Sequence, residues 1–369
     1  MASVSAGVVV MKTVTSPAAI GFVAVAVQFR LFDLLVTFEE PVNAERVLAA
    51  YKDTAKREGA ESPSPGVLLI ADTLFAMAGL GFVDVTSDEL YCANKITRHL
   101  AAFPSAQHGA LHFATEALLG AAFLMPKLKA QNFAYPFEEL DTPIQYAHKL
   151  MGNEHLAKQH TYSIMAEQGR MGSFNTFMVG KFMKYSSVPE RLKMVGYDLQ
   201  AVLDEATPNN TRTMVDIGGG RGELLLEIKE AFPQLQASDL VVQEFNHDIG
   251  EVEGVTLATW DFKAENSPQP IKGALVYHLA HVLHNLPDLE AARLLQKISQ
   301  AMAPHSRLLI HEFSKNERFA KLHSTMIVLY GGRERSSSEF QQLAALAGLK
   351  VTFEVRPEPG DGLIEMRKA

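Results

Sequence analysis

The sequence predicts a two-part α/β protein. A mostly helical N-terminal half with a small, winged-helix-like β-hairpin precedes a C-terminal half built on a doubly wound, Rossmann-like parallel sheet. Three observations carry this. Beyond Pro208-Asn209-Asn210-Thr211 the pattern changes to short β-rich runs separated by helical stretches. A glycine cluster stands between the first of those strands and its helix. Ahead of the boundary, apolar residues recur in long helical runs with one strand–turn–strand interruption.

The 369 residues, 47% of them hydrophobic, are enough for two cores, and the division is expected at residue 208, giving domains 1–208 and 209–369. Charged residues make up 21% and the net charge is -8, with no basic stripe, which argues against nucleic acid or an anionic membrane as partner. The single cysteine, Cys92, leaves no disulfide framework and no cysteine-based zinc site. A reducing, cytoplasmic setting fits this, and no metal centre is expected.

The stretch Thr13 to Phe29 is nearly uncharged, yet it holds Thr, Ser, Pro and Gln and is followed by Arg30 and Asp33. It falls short of a continuous apolar span and lacks a basic segment leading to a small-residue cleavage site. The expectation is a buried or subunit-facing helix that begins near Pro17. Val67 to Leu80 is a second amphipathic helix, ended by glycines. Phe82-Val83-Asp84-Val85 and Leu90-Tyr91-Cys92 flank a turn and read as a hairpin. Leu111 to Leu124 and Gln145 to Met183 read as further helix.

In the C-terminal half, strands are expected at Thr213–Ile217, Leu240–Gln243, Val255–Thr259, Ala274–Tyr277, Arg307–His311 and Leu349–Val355. Helices are expected at Glu223–Phe232, Leu289–Met302 and Ser337–Ala347. A ligand belongs at the C-terminal ends of such strands.

The strongest motif is Val215-Asp216-Ile217-Gly218-Gly219-Gly220-Arg221-Gly222-Glu223. Counted from Gly218, glycines fall at the first, third and fifth positions, and Glu223 occupies the sixth, where a dinucleotide fingerprint needs glycine. A carboxylate at that helix start would repel a pyrophosphate, and Asp216 suits a cationic amine. Gly218 and Gly220 therefore fit close approach of an amino-acid-bearing nucleoside better than NAD. Glu244, ending the next strand, is placed to take both ribose hydroxyls; Asp239 precedes that strand and reads as a cap or turn. Asp261 and Phe262 end the third strand. They read either as an adenine acceptor and stacking ring or as a turn residue and a core aromatic.

With these motifs in order, Thr211 to the C-terminus resembles the class I O-methyltransferases of the plant caffeate type and their fungal secondary-metabolite relatives. The segment Tyr277 to Asp288 stands where the family has its His-Asp-Trp-x-Asp motif, with His284 as the histidine. Leu308-Leu309-Ile310-His311-Glu312 matches a strand-end glutamate, and Gly331-Gly332-Arg333-Glu334-Arg335 matches a Gly-Gly-Lys/Arg-Glu-Arg segment. The resemblance implies S-adenosylmethionine as cofactor, a small-molecule secondary metabolite as substrate, and a homodimer formed by an N-terminal half that also closes the acceptor pocket. It implies His284 as general base, flanked by Glu312 and Glu334. His281, Asn285, Met326 and Tyr330 would line the acceptor pocket.

Three positions depart from the family: Asn285 replaces Asp, Leu286 replaces Trp, and Ala280 stands where fungal relatives commonly carry arginine. They keep a second reading open. Some fungal relatives retain S-adenosylmethionine as a fixed charge and catalyse pericyclic chemistry without methyl transfer. In that reading His281, or a histidine of the N-terminal half such as His112, would donate the hydrogen bond.

Overall fold

A computed structural model of the chain describes residues 5–59, 63–179, 186–205, 213–245, 250–357 and 361–369. The expected boundary at Pro208 to Thr211 lies outside the described residues, as does Met183, where the last N-terminal helix was expected to end. The chain divides into two compact units, residues 1–123 with 161–184 and residues 124–160 with 185–369.

The first unit is helical. Its first helix, Ala6–Gln28, starts eleven residues earlier than Pro17 suggests, because Ser5 caps it by accepting from the Val8 N–H at 3.4 Å. Pro17 lies inside the helix, at a cost of about 3 kcal/mol for the missing donor and the steric clash. Val23 and Ala26 bury against Phe32, Leu35, Ile70, Leu74 and Met77, whereas Val8 to Met11 and Val14 are exposed. Only the C-terminal part of this helix is therefore a core element. By length and composition alone, Ala6–Gln28 and Pro104–Ala130 are each apolar enough to cross a membrane.

The helix Val67–Gly79 leads into the expected hairpin, whose paired residues are β1 (Asp84–Val85) and β2 (Tyr91–Cys92), antiparallel. Thr86 N–H donates to the Leu90 carbonyl at 2.9 Å and closes the turn. The helical stretch that begins at Pro104 contains a π turn over Phe113–Ala117. Gln145 to Met183 is not one helical run. Helices Pro143–Leu150, Thr161–Glu167 and Met171–Val179 are separated by turns in which Gly152 and Gly169 take positive φ.

The second unit carries a seven-stranded sheet in the order β5-β4-β3-β6-β7-β9-β8. The strands are β3 (Met214–Ile217), β4 (Leu240–Glu244), β5 (Thr256–Thr259), β6 (Val276–Ala280), β7 (Arg307–Phe313), β8 (Leu349–Val355) and β9 (Asp361–Lys368). β3 to β7 run parallel, and the order reverses at β3, next to which β6 returns. The expectation of an all-parallel sheet needs correction: β9 inserts antiparallel between β7 and β8. Asp361 and Glu365 obscure β9 as a buried strand in the sequence. Both are paired in the fold, Glu365 with the Tyr197 hydroxyl at 2.5 Å and Thr352 at 2.7 Å.

Strand alternation sends Val215, Ile217, Leu279, Leu308 and Ile310 to one face, under helices Asp288–Ala301 and Ser337–Leu346. Met214, Val242, Val276 and Leu309 face the other side, where helices Val188–Met194, Leu199–Asp204 and Glu223–Ala231 cover them. Helices Val188–Met194 and Leu199–Asp204 precede residue 208 but belong to this core. Both faces of the central strands are thus buried, and their polar residues collect at the C-terminal strand ends.

Candidate active site

β3 ends in the glycine loop, and here the spacing of the glycines has a steric cause. Gly218, Gly220 and Gly222 all take positive φ. A Cβ on Gly219 would lie 2.4 Å from Asp216 Oδ2, and one on Gly222 would lie 2.8 Å from Val242 Cγ2. Gly218 N–H donates to the Gln243 carbonyl at 2.8 Å, and Gly220 N–H to Glu244 Oε1 at 2.8 Å. The loop is a bare backbone cradle drawn against the end of β4. Burial, opposed by the N–H groups of Gly220 and Phe245, pushes the Glu244 carboxyl above the usual range.

Asp216 is 1% exposed. Its Oδ1 pairs with His278 Nδ1 at 2.8 Å, while Oδ2 is buried without a hydrogen-bond partner beside Gly219. An orphaned carboxylate oxygen at the mouth of a glycine cradle fits a cationic amine on a ligand. His278 Nε2 in turn meets His311 Nδ1 at 2.7 Å. Burial, then the neighbouring His278, Arg191 and His281, hold His311 well below the ordinary imidazole range. This Asp216–His278–His311 row crosses three adjacent strands.

Asp239 caps the turn before β4 by accepting from the Gln236 N–H at 2.8 Å. Glu244 O accepts from the Trp260 N–H at 3.0 Å, which brings the 260–262 segment to the same end of the sheet. Asp261 Oδ1 closes a local turn through the N–H groups of Lys263 and Ala264, and Phe262 is partly buried, edge-on to Trp260 at 6.0 Å.

The turn after β6 carries the histidine cluster. A Cβ on Gly218 would stand 3.0 Å from Val282 Cγ2, so this turn lies beside the glycine cradle. His284 is buried; its Nδ1 lies 2.9 Å from Glu334 Oε1 and 3.5 Å from Glu312 Oε2, and its N–H donates to Glu312 Oε1 at 3.2 Å. Burial disfavours the charged ring, but Glu312 and Glu334 prevail and raise its pKa to about 9. Burial likewise holds the Glu312 carboxyl above its usual range. His281 sits at φ +54°, and Asn285 donates to the His281 carbonyl at 3.2 Å. Met326 and Tyr330 are buried on the helix Ala320–Tyr330, which the sequence reading did not assign; Tyr330 lies against the His160 ring at 6.0 Å.

Reading the sequence located the Gly331–Arg335 segment but not what it does to the His284 turn. A Cβ on Gly332 would sit 2.1 Å from the His284 carbonyl oxygen, so only glycine lets this chain cross the turn. Arg335, 1% exposed, then donates to the Leu283 carbonyl at 2.6 Å, the Leu286 carbonyl at 2.7 Å and Asp288 Oδ1 at 3.0 Å. It clamps both ends of the turn that presents His284. Asp361 was missed for the same reason: β9 brings it to His281, 3.3 Å away, and to Arg191.

In the helical unit His112 is buried among Phe113, Phe174 and Phe177, and its Nδ1 lies 3.2 Å from Glu116 Oε2. Burial opposes ionisation of Glu116, but hydrogen bonds from His112, Arg170 and Thr115 bring its pKa to about 2.

An O-methyltransferase domain model matches residues 183–350. The chain is 52% identical to O-methyltransferase bfoE of Aspergillus brasiliensis, over 98% of this chain and 96% of that one. It is 50% identical to O-methyltransferase aunE of Aspergillus niger over the same shares. Its fold is similar to that of LepI complexed with SAM (TM-score 0.79, 21% identity, 99% and 90% of the two chains). It is equally similar to OxaC with sinefungin and meleagrin (TM-score 0.79, 20% identity, 99% and 88%). The chain belongs to the O-methyltransferase family. It is a methyltransferase-family enzyme that uses S-adenosylmethionine.

Proposed function

We propose that this enzyme methylates a phenolic or enolic hydroxyl of a secondary metabolite, with His284 as general base. The observation that carries this is the buried His284 Nδ1 held 2.9 Å from Glu334 Oε1 with Glu312 beside it. A carboxylate on Nδ1 fixes the ring and leaves Nε2 to take the proton of an acceptor hydroxyl. Glu312 and Glu334 stabilise the imidazolium that results, and Arg335 keeps the turn in place.

The cradle around Gly218 and Gly220 would receive the cofactor. Asp216 Oδ2 would take its amine and Glu244 its ribose hydroxyls, with Asp261 and Phe262 toward the adenine. When bound, S-adenosylmethionine supplies an electrophilic methyl on a positively charged sulfur. His281, Asn285, Met326 and Tyr330 line the acceptor side. The exposed apolar residues of the first unit, Val9, Val10, Met11 and Val14 with Leu68 and Phe75, support a homodimer; a cytoplasmic enzyme with neither nucleic acid nor membrane as partner is read from the single cysteine, the net charge of -8 and the lack of a basic stripe. In the proposed division the part ahead of residue 208 serves dimerisation and the part after it binds the cofactor, with the helices Val188–Met194 and Leu199–Asp204 counted with the cofactor-binding core they pack into.

The test is mass spectrometry of the purified protein with S-adenosylmethionine and a panel of phenolic and polyketide-pyridone acceptors. A product heavier by one methyl, with S-adenosylhomocysteine formed, is expected. An isomerised or dehydrated product with the cofactor unconsumed would overturn methyl transfer in favour of pericyclic chemistry.

A further inference from the structure

The turn that delivers His284 also brings a second imidazole to Glu312. His281 takes a left-handed backbone conformation, φ +54°, uncommon for a side chain of its size. Its Nε2 faces Asp361 Oδ2 at 3.3 Å, and Asp361 is anchored by Arg191. Donation from Nε2 to this carboxylate leaves Nδ1 as the lone-pair nitrogen. That nitrogen is buried, has no hydrogen-bond partner, and lies 3.8 Å from Glu312 Oε2. His284 Nδ1 lies 3.5 Å from the same oxygen. Glu312 is 2% exposed, and its Oε2 also lacks a hydrogen-bond partner. One donor atom from each of the three side chains falls within 4.8 Å of the others.

This is the donor set of a transition-metal site, with two imidazoles and one carboxylate oxygen. Zinc takes such ligands at about 2.0–2.2 Å, which spaces them about 3.3 Å apart in a tetrahedron. The two separations from Glu312 Oε2, 3.8 and 3.5 Å, are close to that spacing, and the two imidazole donors, within 4.8 Å of each other, must draw together to complete it. The Asp361 carboxylate behind His281 is the outer partner that orients most metal-bound imidazoles. We propose that His281, His284 and Glu312 form a binding site for a divalent transition-metal ion of the zinc type, and that its occupation blocks methyl transfer. The second clause rests on His284 being the base. Ligation of His284 through Nδ1 displaces the proton that Nδ1 shares with Glu334 Oε1 and leaves the ring's one proton on Nε2, so that no lone pair remains to accept another. Metal and acceptor proton then compete for one ring.

The experiment titrates the full-length, tag-free protein with Co²⁺, following the visible absorption of a tetrahedral complex, with Zn²⁺ added to displace it. Formation of S-adenosylhomocysteine is followed in parallel. One equivalent of Co²⁺ should develop the band, Zn²⁺ should bleach it, and methyl transfer should fall in step with occupancy. His281→Asn should weaken Co²⁺ binding by tenfold or more and shift the Zn²⁺ inhibition curve, taken relative to its own metal-free rate, by the same factor. Asp361→Asn, which leaves all three ligands in place, should weaken it by about 10–100-fold. Folded wild type without the band, or His281→Asn with undiminished affinity, overturns the site. Binding that depends on His281 while methyl transfer continues at full rate supports the site and removes His284 from the base role.

Discussion

Glu334 Oε1 stands 2.9 Å from His284 Nδ1, although the two residues are fifty positions apart in the chain. Their meeting depends on Gly332, which crosses the His284 turn where no side chain fits, and on Arg335, which holds the turn's carbonyls from beneath. His284, the carboxylate on its ring and the Arg335 clamp are thus supplied by two short segments of opposite chemistry, one mostly apolar and one charged.

His284→Ala should lower methyl transfer by about 10²–10⁴-fold. Cofactor affinity by calorimetry should stay close to wild type, because the glycine cradle and Asp216 are untouched. Near-normal turnover would remove His284 from the proton-transfer step.

The pH profile follows from the charge around the ring. A general base acts only when deprotonated, and His284 has a pKa of about 9 in the free enzyme. The value of kcat/KM should therefore climb with pH along a single-proton limb with its midpoint near 9. Glu334→Gln removes a charge that favours the imidazolium, so the limb should move to lower pH while the plateau rate falls. A limb that does not move would detach Glu334 from the base.

Gly219→Ala places a Cβ 2.4 Å from Asp216 Oδ2. The carboxylate must turn away, and cofactor affinity should drop by more than tenfold in calorimetry. Gly21→Ala, in open space within the first helix, should instead leave affinity unchanged and stabilise by about 0.5–1 kcal/mol in thermal unfolding.

Gly332→Ala meets backbone, not a flexible side chain, with its Cβ 2.1 Å from the His284 carbonyl oxygen. Relief requires shifting the turn, at a cost of about 1–3 kcal/mol. Methyl transfer should fall with cofactor affinity retained. Equal kinetics in the variant would show that the turn tolerates displacement.

In the helical unit, Glu116 has a folded pKa of about 2 against an ordinary 4.5. A depressed carboxyl contributes stability that is present above the unfolded pKa and is lost as pH falls through the folded one. Glu116→Gln should cost about 3 kcal/mol at pH 7. The gap to wild type in urea unfolding should narrow between pH 4.5 and pH 2. A gap that persists at pH 2 would mean that packing, not charge, makes the difference.

Much of the second unit was legible in the chain because its signals are local. The glycine spacing after Asp216, Glu244 at the end of its strand, and the alternation of strand and helix each depend on a few neighbouring residues. His284, Glu312 and Glu334 were visible as three separate motifs. Their convergence rested on resemblance, since nothing in local pattern brings residues 284, 312 and 334 together.

Other features depended on pairing between distant segments. β9 shows no clean alternation, because Asp361 and Glu365 occupy positions that only partners from elsewhere make tolerable. The first helix extends past Pro17 because Ser5 caps it and later residues anchor its far end. The doubly wound α/β class and the glycine turn after Asp216 were readable from the chain alone, since strand–helix alternation and backbone freedom are properties of short segments. The antiparallel β9, the Arg335 clamp and the meeting of His281 with Glu312 arise from pairing between segments far apart in the chain. Each of these depends on which buried polar groups find partners once the strands are side by side.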